Sequence, residues 1–406
     1  MAVLVQKYGG SSVADAEKIK GVARRVVKTM KEGNQVVVVV SAMGDTTDDL
    51  IKLAYQITGH PSERELDVLL STGEIVTSTL LAMALESLGH TAVSLTGAQA
   101  GIRTDASHNR ARILGIDPRR TMSELEAGNV VIVAGFQGAT GDMDTTTLGR
   151  GGSDTTAVAL AASLNAEACQ IYTDVEGVYT ADPRLVPRAT RLKQIGYEEM
   201  LELASYGARV MHNRAVELGQ LYKVPILVAS SFAEGPGTII SEEASMEAVN
   251  RVRGVAHDSN VAKITVVGVP DHPGIAATIF EPLARANVSV DTIVQNAGVE
   301  KTTDLTFTVA RDDLMKAMSI VEPVAESVGG RRCLSDSTLA KVSVVGTGMQ
   351  NSPGYAATMF RALYERGINI QLITTSEIRI TCIIAEDRVE DAVRTLHQAF
   401  ELEQSP

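Results

Sequence analysis

Short apolar segments alternate with amphipathic stretches over residues 1–240 of the chain. The apolar segments predict strands at Val3–Gln6, Val36–Val40, Val130–Ala134, Cys169–Tyr172 and Ile226–Ala229. The stretches between them predict helices at Ile19–Met30, Leu66–Leu88 and Thr155–Leu164. Val36–Val40 contains no polar residue, which is typical of a parallel strand covered by helices on both faces. The alternation therefore predicts an α/β fold, an αβα sandwich with a mainly parallel sheet.

The start of the first helix carries a capping pattern. Ser12 is followed three residues later by Asp15, and this spacing resembles a capping box. We therefore expect the first helix to begin at Ser12, with the Ser12 side chain as its N-terminal cap.

An internal repeat occupies the C-terminal part of the sequence. Val266–Asp291 matches Val344–Gln371 at an offset of 80 when Pro273-Gly274 is set on Pro353-Gly354. Each copy reads strand, Pro-Gly turn, helix and strand, which predicts two small β-α-β domains that pack together. The charged stretch Ser241–Arg253 lacks a strand pattern and is interpreted as a linker. These features divide the chain into residues 1–245, 246–335 and 336–406.

Composition and charge argue against several classes of protein. The chain has 406 residues, 45% of them hydrophobic and 21% charged, which is typical of a soluble protein with several domains. Its net charge of −12 and the lack of a basic run argue against nucleic-acid binding. The apolar runs near the N-terminus are too short to span a membrane, and no signal peptide is expected. The three cysteines form no CxxC pair, so we expect a cytoplasmic protein without disulfides or a zinc site.

Three glycine-rich turns lie beside predicted strands and helices, at Lys7–Ser12, Ser41–Thr47 and Thr147–Asp154. Where such turns enter helices, backbone N–H groups and the helix dipole attract anions such as phosphate. A single turn is also compatible with an ordinary tight turn, whereas several on one sheet favour a phosphate site. The sequence lacks G-x-x-x-x-G-K-[ST], a G-x-G-x-x-G after a strand, and the HRD and DFG motifs. P-loop, dinucleotide-binding and protein-kinase interpretations are therefore disfavoured.

Five motifs together carry a family resemblance. They are KYGGSS at 7–12, SAMGDTTD at 41–48, STGE at 71–74, TTLGRGGSDTTA at 146–157 and YTDVEGVYTADPR at 172–184. In this combination the chain resembles the aspartate kinases of the amino acid kinase family, and its repeats resemble the paired ferredoxin-like ACT domains that end such enzymes. The resemblance covers essentially the whole chain. It implies that ATP, with Mg²⁺, phosphorylates the side-chain carboxylate of L-aspartate to 4-phospho-L-aspartate, the first step toward lysine, threonine and methionine.

The resemblance also implies a role for each motif residue. Lys7 would oppose the charge of the transferred phosphoryl group, with Asp154 orienting Lys7 or helping to hold Mg²⁺. Arg150 would bind the α-carboxylate of aspartate through its planar guanidinium, and Glu74 would bind the α-ammonium. The other substrate-binding residues are expected to be Ser41, Thr47, Gly151, Gly152 and Ser153. The nucleotide is expected to contact Lys7, Gly9, Gly10, Ser11, Thr173, Asp174, Tyr179, Asp182 and Arg184.

One position departs from the family pattern. The family usually has a lysine in the segment that here reads YGARV at residues 206–210. Arg209 keeps the positive charge of that lysine but changes the geometry of its contact with ATP. We therefore expect nucleotide binding to survive with a different pattern of contacts.

The ACT-like repeats imply feedback regulation and assembly. Lysine, threonine or both would bind as inhibitors in a pocket between two paired domains, and the chain would form a homo-oligomer through these domains. The regulatory residues are expected to be Asp271, Gly274, Asp291, Gln295, Asn369, Ile370, Thr375 and Ser376. Met246 lies near the start of the regulatory part, where some relatives begin a separate regulatory subunit.

Two alternative functions remain open from the sequence. The first is another amino acid kinase that acts on glutamate or a nucleotide, and the pair Glu74 and Arg150 together with the repeats argues against it. The second is a catalytically silent amino-acid sensor, and intact Lys7, Glu74, Arg150 and Asp154 argue against that. An ATP-dependent hydroxamate assay with aspartate separates these alternatives.

Overall fold

The computed structural model describes residues 1–208, 210–242, 252–296, 302–349 and 353–404, apart from the Gln404 side chain. Arg209 and Met246 lie outside these ranges. The helices are α1 (Ala16–Lys31), α2 (Thr46–Ile57), α3 (Glu63–Ser87), α4 (Arg119–Glu126), α5 (Gly152–Ser163), α6 (Tyr197–Ser205), α7 (Asn213–Tyr222), α8 (Ile275–Arg285), α9 (Leu314–Ser327), α10 (Tyr355–Glu365) and α11 (Val389–Ala399).

The strands form three sheets. In chain order they are β1 (Val3–Tyr8), β2 (Gln35–Val40), β3 (Ala92–Leu95), β4 (Ile102–Thr104), β5 (Ile113–Ile116), β6 (Val130–Ala134), β7 (Gln137–Ala139), β8 (Thr145–Thr147), β9 (Ala168–Thr173), β10 (Gln194–Gly196), β11 (Ile226–Ser230), β12 (Thr238–Ser241), β13 (Gly254–Pro270), β14 (Val290–Gln295), β15 (Thr302–Val309), β16 (Arg332–Val345), β17 (Leu372–Thr375) and β18 (Arg379–Ala385).

The N-terminal part is built on an eight-stranded sheet in the order β10-β12-β11-β9-β1-β2-β6-β3. Neighbouring strands are parallel throughout except for β11 and β12. Val38 packs with α1 and α3 in one apolar core, whereas its neighbour Val39 packs with α5, α6 and α7 in another. Both faces of the sheet are therefore covered by helices, and the predicted αβα sandwich is confirmed. A four-stranded sheet, β5-β4-β7-β8, completes this part.

Helix α3 is long and apolar enough to cross a membrane, judged by length and composition alone. Half of its most apolar window is buried inside the protein, and the helix carries the buried carboxylates Asp67 and Glu74. It packs against α1 and against β3 and β6 of the sheet. These contacts are those of a core helix in the sandwich.

The C-terminal repeats share one six-stranded sheet in the order β14-β15-β13-β16-β18-β17. Its central strands β13 and β16 are long and antiparallel, and each serves both repeats. Residues Gly254–Asp258, which precede the first repeat, pair with Lys341–Val345 of the second. The second ferredoxin-like unit thus takes its fourth strand from before the first, and the two units are interlocked. The division at 335/336 stays a prediction, since β16 runs across it.

The repeated Pro-Gly turns have the same backbone geometry in both units. Gly274 begins α8 with φ 99°, and Gly354 begins α10 with φ 111°. Residues other than glycine rarely adopt this left-handed backbone conformation, so the geometry of the turn explains why glycine is repeated. Helices α8 and α9 cover the first unit, and α10 and α11 cover the second.

The cap of α1 differs from the sequence-based expectation. The N-terminal cap is Asp15, whose side chain accepts a hydrogen bond from the Lys18 N–H at 2.9 Å. Ser12 lies in the preceding 3₁₀ turn, Gly10–Val13, and its hydroxyl donates to Ser231 Oγ at 2.7 Å. The prediction that Ser12 caps α1 was therefore wrong, because a tertiary partner engages the hydroxyl.

Candidate active site

The glycine-rich turns meet at one edge of the main sheet. Lys7 lies near the C-terminal end of β1 and pairs with Val39 of β2 and Ile171 of β9. Because parallel strands end at the same edge, the turns that follow β1 and β2 come together, and the Gly44 N–H donates to the Gly10 carbonyl at 3.1 Å. In open α/β sheets this edge is where ligands bind.

Lys7 is held by an acidic residue from the first turn of α5. Its Nζ lies 2.6 Å from Oδ1 of Asp154, and the two side chains are only 12% and 11% exposed. The ion pair fixes the ammonium at the edge of the sheet and lies beside the N-terminus of a helix, where an anion is favoured. This geometry supports the orienting role predicted for Asp154, while its role toward Mg²⁺ stays a prediction.

The turn after β1 leaves no room for a side chain at Gly10, whereas a Cβ on Gly9 would make only an ordinary contact. A Cβ on Gly10 would come 2.9 Å from the Ala42 carbonyl oxygen, and a Cβ on Gly9 would come 3.4 Å from Lys7 Nζ. The next residue, Ser11, is exposed. Gly10 is therefore required by close packing against the segment after β2, and the phosphate contacts of Gly9, Gly10 and Ser11 stay predictions.

Glu74 is a buried carboxylate with one unused oxygen. Its side chain, on α3, is 3% exposed, and Oε1 accepts a hydrogen bond from the Ala42 N–H at 3.1 Å. Oε2 is buried without a hydrogen-bond partner among the described residues. Burial raises the pKa of Glu74 to about 7, against the opposing effect of backbone hydrogen bonds. A cationic ligand group that reached Oε2 would relieve the cost of this desolvation.

Arg150 stands at the exposed end of a turn between two left-handed glycines. Gly149 and Gly151 have φ of 78° and 71°, and a Cβ on Gly151 would overlap the His212 ring. Arg150 is exposed, whereas the following Gly152, Ser153 and Asp154 are buried in the first turn of α5. The turn thus carries an exposed arginine directly before the buried first turn of α5, which includes Asp154.

Two residues that the sequence analysis missed hold this turn in place. Asp67 is fully buried and accepts a hydrogen bond from the Thr147 hydroxyl, and His108 Nδ1 lies 2.7 Å from its Oδ2. Arg214 donates to the Leu148 carbonyl at 2.7 Å. The only sequence signal for Asp67 was a charged residue among apolar neighbours of a helix.

The hydroxyls predicted to contact substrate lie after β2. Ser41 directly follows the strand, and its N–H donates to the Tyr8 carbonyl at 3.1 Å. Thr47 lies in the first turn of α2. Both residues are half-buried at the same edge as Lys7. Their contacts with substrate stay predictions.

The nucleotide loop, defined here as residues 173–192, follows β9. Thr173 donates to Asp174 Oδ1 at 3.0 Å, and the Tyr179 hydroxyl donates to Glu176 at 3.2 Å. Arg184, which was expected to contact the phosphates, instead pairs with Asp182 at 2.7 Å. This guanidinium lowers the pKa of Asp182. The Arg184 side chain is 88% exposed, so its phosphate contact stays a prediction.

Ser231 connects the nucleotide loop to the turn after β1 and was also missed. Its hydroxyl donates to the Thr173 carbonyl at 3.1 Å and accepts from Ser12 at 2.7 Å. The residue follows the predicted strand β11, so its position at a strand end was the available signal. Ser231 therefore fixes the turn after β1 and the nucleotide loop relative to each other.

Helix α6 of the N-terminal part is bound to the regulatory part through two carboxylates. Glu199 is 1% exposed and accepts from the Thr347 N–H at 2.8 Å and from Arg253 Nε at 3.2 Å. Glu202 pairs with Arg379 at 2.9 Å. Glu199, the buried carboxylate of α6, is therefore satisfied by residues of the regulatory part.

The predicted regulatory residues are only partly brought together. Asp291 and Ser376 line a cavity of about 670 Å³ that is also lined by Glu202 of α6, by Tyr206 just after that helix, and by residues of α7. Asp291 also pairs with Lys341. Asp291 and Gln295 lie on β14, whereas Asn369, Ile370, Thr375 and Ser376 lie on β17 or beside it. These two strands are at opposite edges of the sheet. The remaining predicted residues, Asp271, Gly274, Gln295, Asn369, Ile370 and Thr375, do not line this cavity.

Comparisons with known proteins agree with this arrangement of fold and site. A model of the amino acid kinase family matches residues 2–230, and an ACT domain model matches residues 264–323 and 342–400. An aspartokinase of Pseudomonas aeruginosa is 54% identical over 99% of this chain and 98% of its own length. An aspartokinase of Mycolicibacterium smegmatis is 52% identical over 99% and 97%.

A solved structure extends the agreement to three dimensions. The crystal structure of E. coli aspartokinase III in complex with aspartate and ADP has a TM-score of 0.81, with 25% identity over 98% of this chain and 99% of that one. Fold and site define an amino acid kinase with two C-terminal ACT domains. Within that class, the chain belongs to the aspartokinase family.

Proposed function

We propose that the protein transfers the γ-phosphoryl group of ATP to the side-chain carboxylate of L-aspartate and that it is feedback regulated through its ACT domains. The observation that carries the proposal is Glu74, whose buried Oε2 lacks a partner among the described residues. An α-ammonium bound there would pair with the carboxylate, and Arg150 would bind the α-carboxylate. The side chain of the amino acid would then point toward Lys7.

Lys7 supplies the charge that the transfer requires. The phosphoryl group carries its negative charge on peripheral oxygens, and a positioned cation stabilises that charge as the bonds change. Asp154 keeps the ammonium in place at 2.6 Å. The attacking carboxylate is ionised near pH 7, so the reaction needs no general base. Its oxygen attacks the γ-phosphorus, the bond to the β-phosphate oxygen breaks, and ADP leaves.

The nucleotide is ATP, and we propose that Mg²⁺ accompanies it. The E. coli structure with ADP supports the nucleotide. In the described part of the chain no group of three or more His, Cys, Asp or Glu side chains could hold a metal ion. Mg²⁺ would keep several waters and be held largely by the phosphates with one or two carboxylates, for which Asp154 is the candidate. The ion would neutralise phosphate charge.

Substrate selectivity tests the proposal. With MgATP and hydroxylamine, we expect L-aspartate to give hydroxamate at a rate at least tenfold above D-aspartate or L-glutamate. Glu74 and Arg150 would fix the α-amino acid group, so the side chain of D-aspartate would point away from Lys7 and the longer side chain of L-glutamate would misplace its carboxylate. Glutamate turned over as fast as aspartate would instead favour a glutamate-type kinase. No hydroxamate with any amino acid, despite bound nucleotide, would favour a silent sensor.

Regulation requires a second copy of the chain in this proposal. Because β14 and β17 are the edge strands of one sheet, the predicted residues that lie outside the cavity, such as Gln295 and Asn369, would come together where the edges of two sheets meet. Ile293 and Ile373 on these strands are 51% and 44% exposed, which leaves apolar edges for another ACT pair. The complex of E. coli aspartokinase III with lysine and aspartate supports lysine as an inhibitor. Threonine, a separate regulatory subunit and a cytoplasmic location stay predictions.

Relief of inhibition tests the regulatory residues. We expect lysine, threonine or both together to inhibit, and we expect Asn369→Ala to relieve inhibition severalfold or more while the uninhibited kcat stays roughly unchanged. An inhibitor acts only through its preference for a less active arrangement, with a coupling of about 1–3 kcal/mol. Steady-state rates with each amino acid alone and combined provide the measurement. Asn287→Ala, on the turn after α8, is the control, and unchanged inhibition in Asn369→Ala would place the pocket elsewhere.

A further inference from the structure

The nucleotide loop is attached to the last helix of the chain. Ala181 and Val186 of the loop are buried in the apolar core of the second ACT unit, together with Leu396 of α11. Arg394 of the same helix donates through Nε to the Leu185 carbonyl at 2.7 Å. Residues of the catalytic part thus complete a core that belongs to the regulatory part.

A buried hydrogen bond lies at the centre of this contact. Thr180 Oγ1 and His397 Nε2 are 2.9 Å apart, and the two residues are 0% and 1% exposed. The Thr180 oxygen also accepts from the Thr190 N–H at 2.9 Å. Its own hydrogen is therefore available to an unprotonated Nε2 of His397. Burial lowers the pKa of His397, which favours the neutral imidazole that this bond needs.

Thr180 is also fixed through its backbone. Its carbonyl accepts from the Val255 N–H at 2.8 Å, and its N–H donates to the Thr190 carbonyl at 2.9 Å. Both oxygens and the N–H of Thr180 are therefore bonded. Its neighbour Tyr179 and the nearby Asp182 are the residues expected to contact the nucleotide, so the position of Thr180 sets theirs.

We propose that His397, in the second ACT unit, is a positioning residue for the nucleotide: it holds Thr180 so that the nucleotide loop keeps the conformation that binds ATP and ADP. The inference rests on the proposed function for the assignment of this loop to the nucleotide. The aspartate end of the site has separate supports, since Glu74 is bonded to Ala42 and the Arg150 turn is held by Asp67 and Arg214. Loss of His397 should therefore affect the nucleotide selectively.

The test measures MgADP binding to the full-length protein by calorimetry, together with the KM values for ATP and aspartate. In His397→Leu we expect the Kd for MgADP and the KM for ATP to rise about tenfold, as for loss of one buried hydrogen bond. The KM for aspartate should change less than twofold. Thr180→Val should reproduce this pattern. The Kd for MgADP of the double variant should not exceed that of the single variant that binds more weakly. His397→Gln, whose amide oxygen can accept the Thr180 hydrogen in place of Nε2, should recover most of the affinity.

A matched control separates positioning from general loss of stability. Ser343→Ala removes a buried hydrogen bond of 2.7 Å to Thr381 within the second ACT unit, and the Ser343 side chain is not hydrogen-bonded to the nucleotide loop among the described residues. The Ser343→Ala protein should bind MgADP with an unchanged Kd, even if its thermal stability is lower than that of the wild type. Unchanged MgADP binding in His397→Leu, equal rises in both KM values, or additive effects in the double variant would overturn the proposal. If His397→Leu does not fold, Thr180→Val and His397→Gln decide the matter by the same criteria.

The binding measurement does not depend on turnover. If the wild-type protein binds MgADP but does not phosphorylate aspartate, the proposed function fails while the role of His397 is still decided by the variants. If aspartate is phosphorylated normally and the variants bind MgADP like the wild type, only the role of His397 is overturned.

Discussion

Lys7→Ala is expected to lower kcat by about 100-fold or more, with a much smaller change in the KM for aspartate. The reason is that Lys7 opposes charge that develops during transfer, and removal of one such group typically costs 10²–10³ in rate. Its short ion pair with Asp154 shows that the ammonium is fixed at the sheet edge rather than free in solvent. Steady-state kinetics in the hydroxamate assay provides the measurement.

Lys20→Ala is the matched control for this change. Lys20 lies on α1, is 57% exposed and pairs only with Glu17 within the described residues, so its loss should leave kcat unchanged. A Lys7→Ala variant with near-normal kcat would remove Lys7 from the chemistry. A variant whose only defect is a higher KM for ATP would make Lys7 a binding residue.

Glu74→Gln is expected to lower kcat/KM for aspartate by about 30-fold or more and to leave the KM for ATP within about twofold. Loss of one partner from a buried charge pair costs about 2–5 kcal/mol, and the glutamine keeps the shape and the bond to Ala42. Glu65→Gln, on the exposed side of α3, is the control and should behave like the wild type. An aspartate KM that is unchanged in Glu74→Gln would contradict the ammonium site.

The pH dependence of aspartate binding tests the same residue. Burial raises the pKa of Glu74 to about 7 in the free protein, so the carboxylate is increasingly protonated as the pH falls below 7. Only the ionised form pairs with an ammonium, so kcat/KM for aspartate should fall toward tenfold per pH unit on the acid side. Bound ammonium favours ionisation, which moves this limb to lower pH in the kcat profile. Glu74→Gln should abolish the limb, and its persistence would assign it to another group.

The five strands β1, β2, β6, β9 and β11 of the main sheet were predictable because their sequences leave few alternatives, whereas β3, β10 and β12 at its margins were not predicted. Val36–Val40 has no polar position, and such a run is stable only where helices cover both faces. The repeated Pro-Gly turn likewise specified two similar units, because its glycine requires a left-handed backbone in each. Both features depend on short segments of the sequence, so they could be predicted without knowledge of the tertiary structure.

The interlocking of the two ACT units had no such signal. The pairing of Gly254–Asp258 with Lys341–Val345 joins residues more than eighty positions apart, and the strand begins directly after the stretch Ser241–Arg253 that was interpreted as a linker. The same holds for Ser12, where a hydroxyl suited to a helix cap is used by Ser231 instead. Tertiary partners override local preference in both cases.

The residues of the candidate site divide in the same way, into those that local sequence identifies and those that only tertiary contacts reveal. Lys7, Glu74 and Asp154 could be proposed from motifs, whereas Asp67 and Arg214 act on the Arg150 turn from distant elements and belong to no motif. The sequence also gave no reason to connect the nucleotide loop with α11. The structure joins them through Thr180 and His397, so the catalytic part is not independent of the regulatory part.

The central claim is that the side-chain carboxylate of aspartate attacks the γ-phosphorus of ATP. It is tested most directly with L-aspartate that carries ¹⁸O in that carboxylate, followed by cleavage of the acyl phosphate with hydroxylamine and ³¹P NMR of the phosphate released. Hydroxylamine attacks the carbonyl carbon, so the bridging oxygen leaves with the phosphorus. We predict inorganic phosphate that carries one ¹⁸O from the side-chain label and none from an α-carboxylate label. Unlabelled phosphate in the first experiment, or labelled phosphate in the second, would contradict this account.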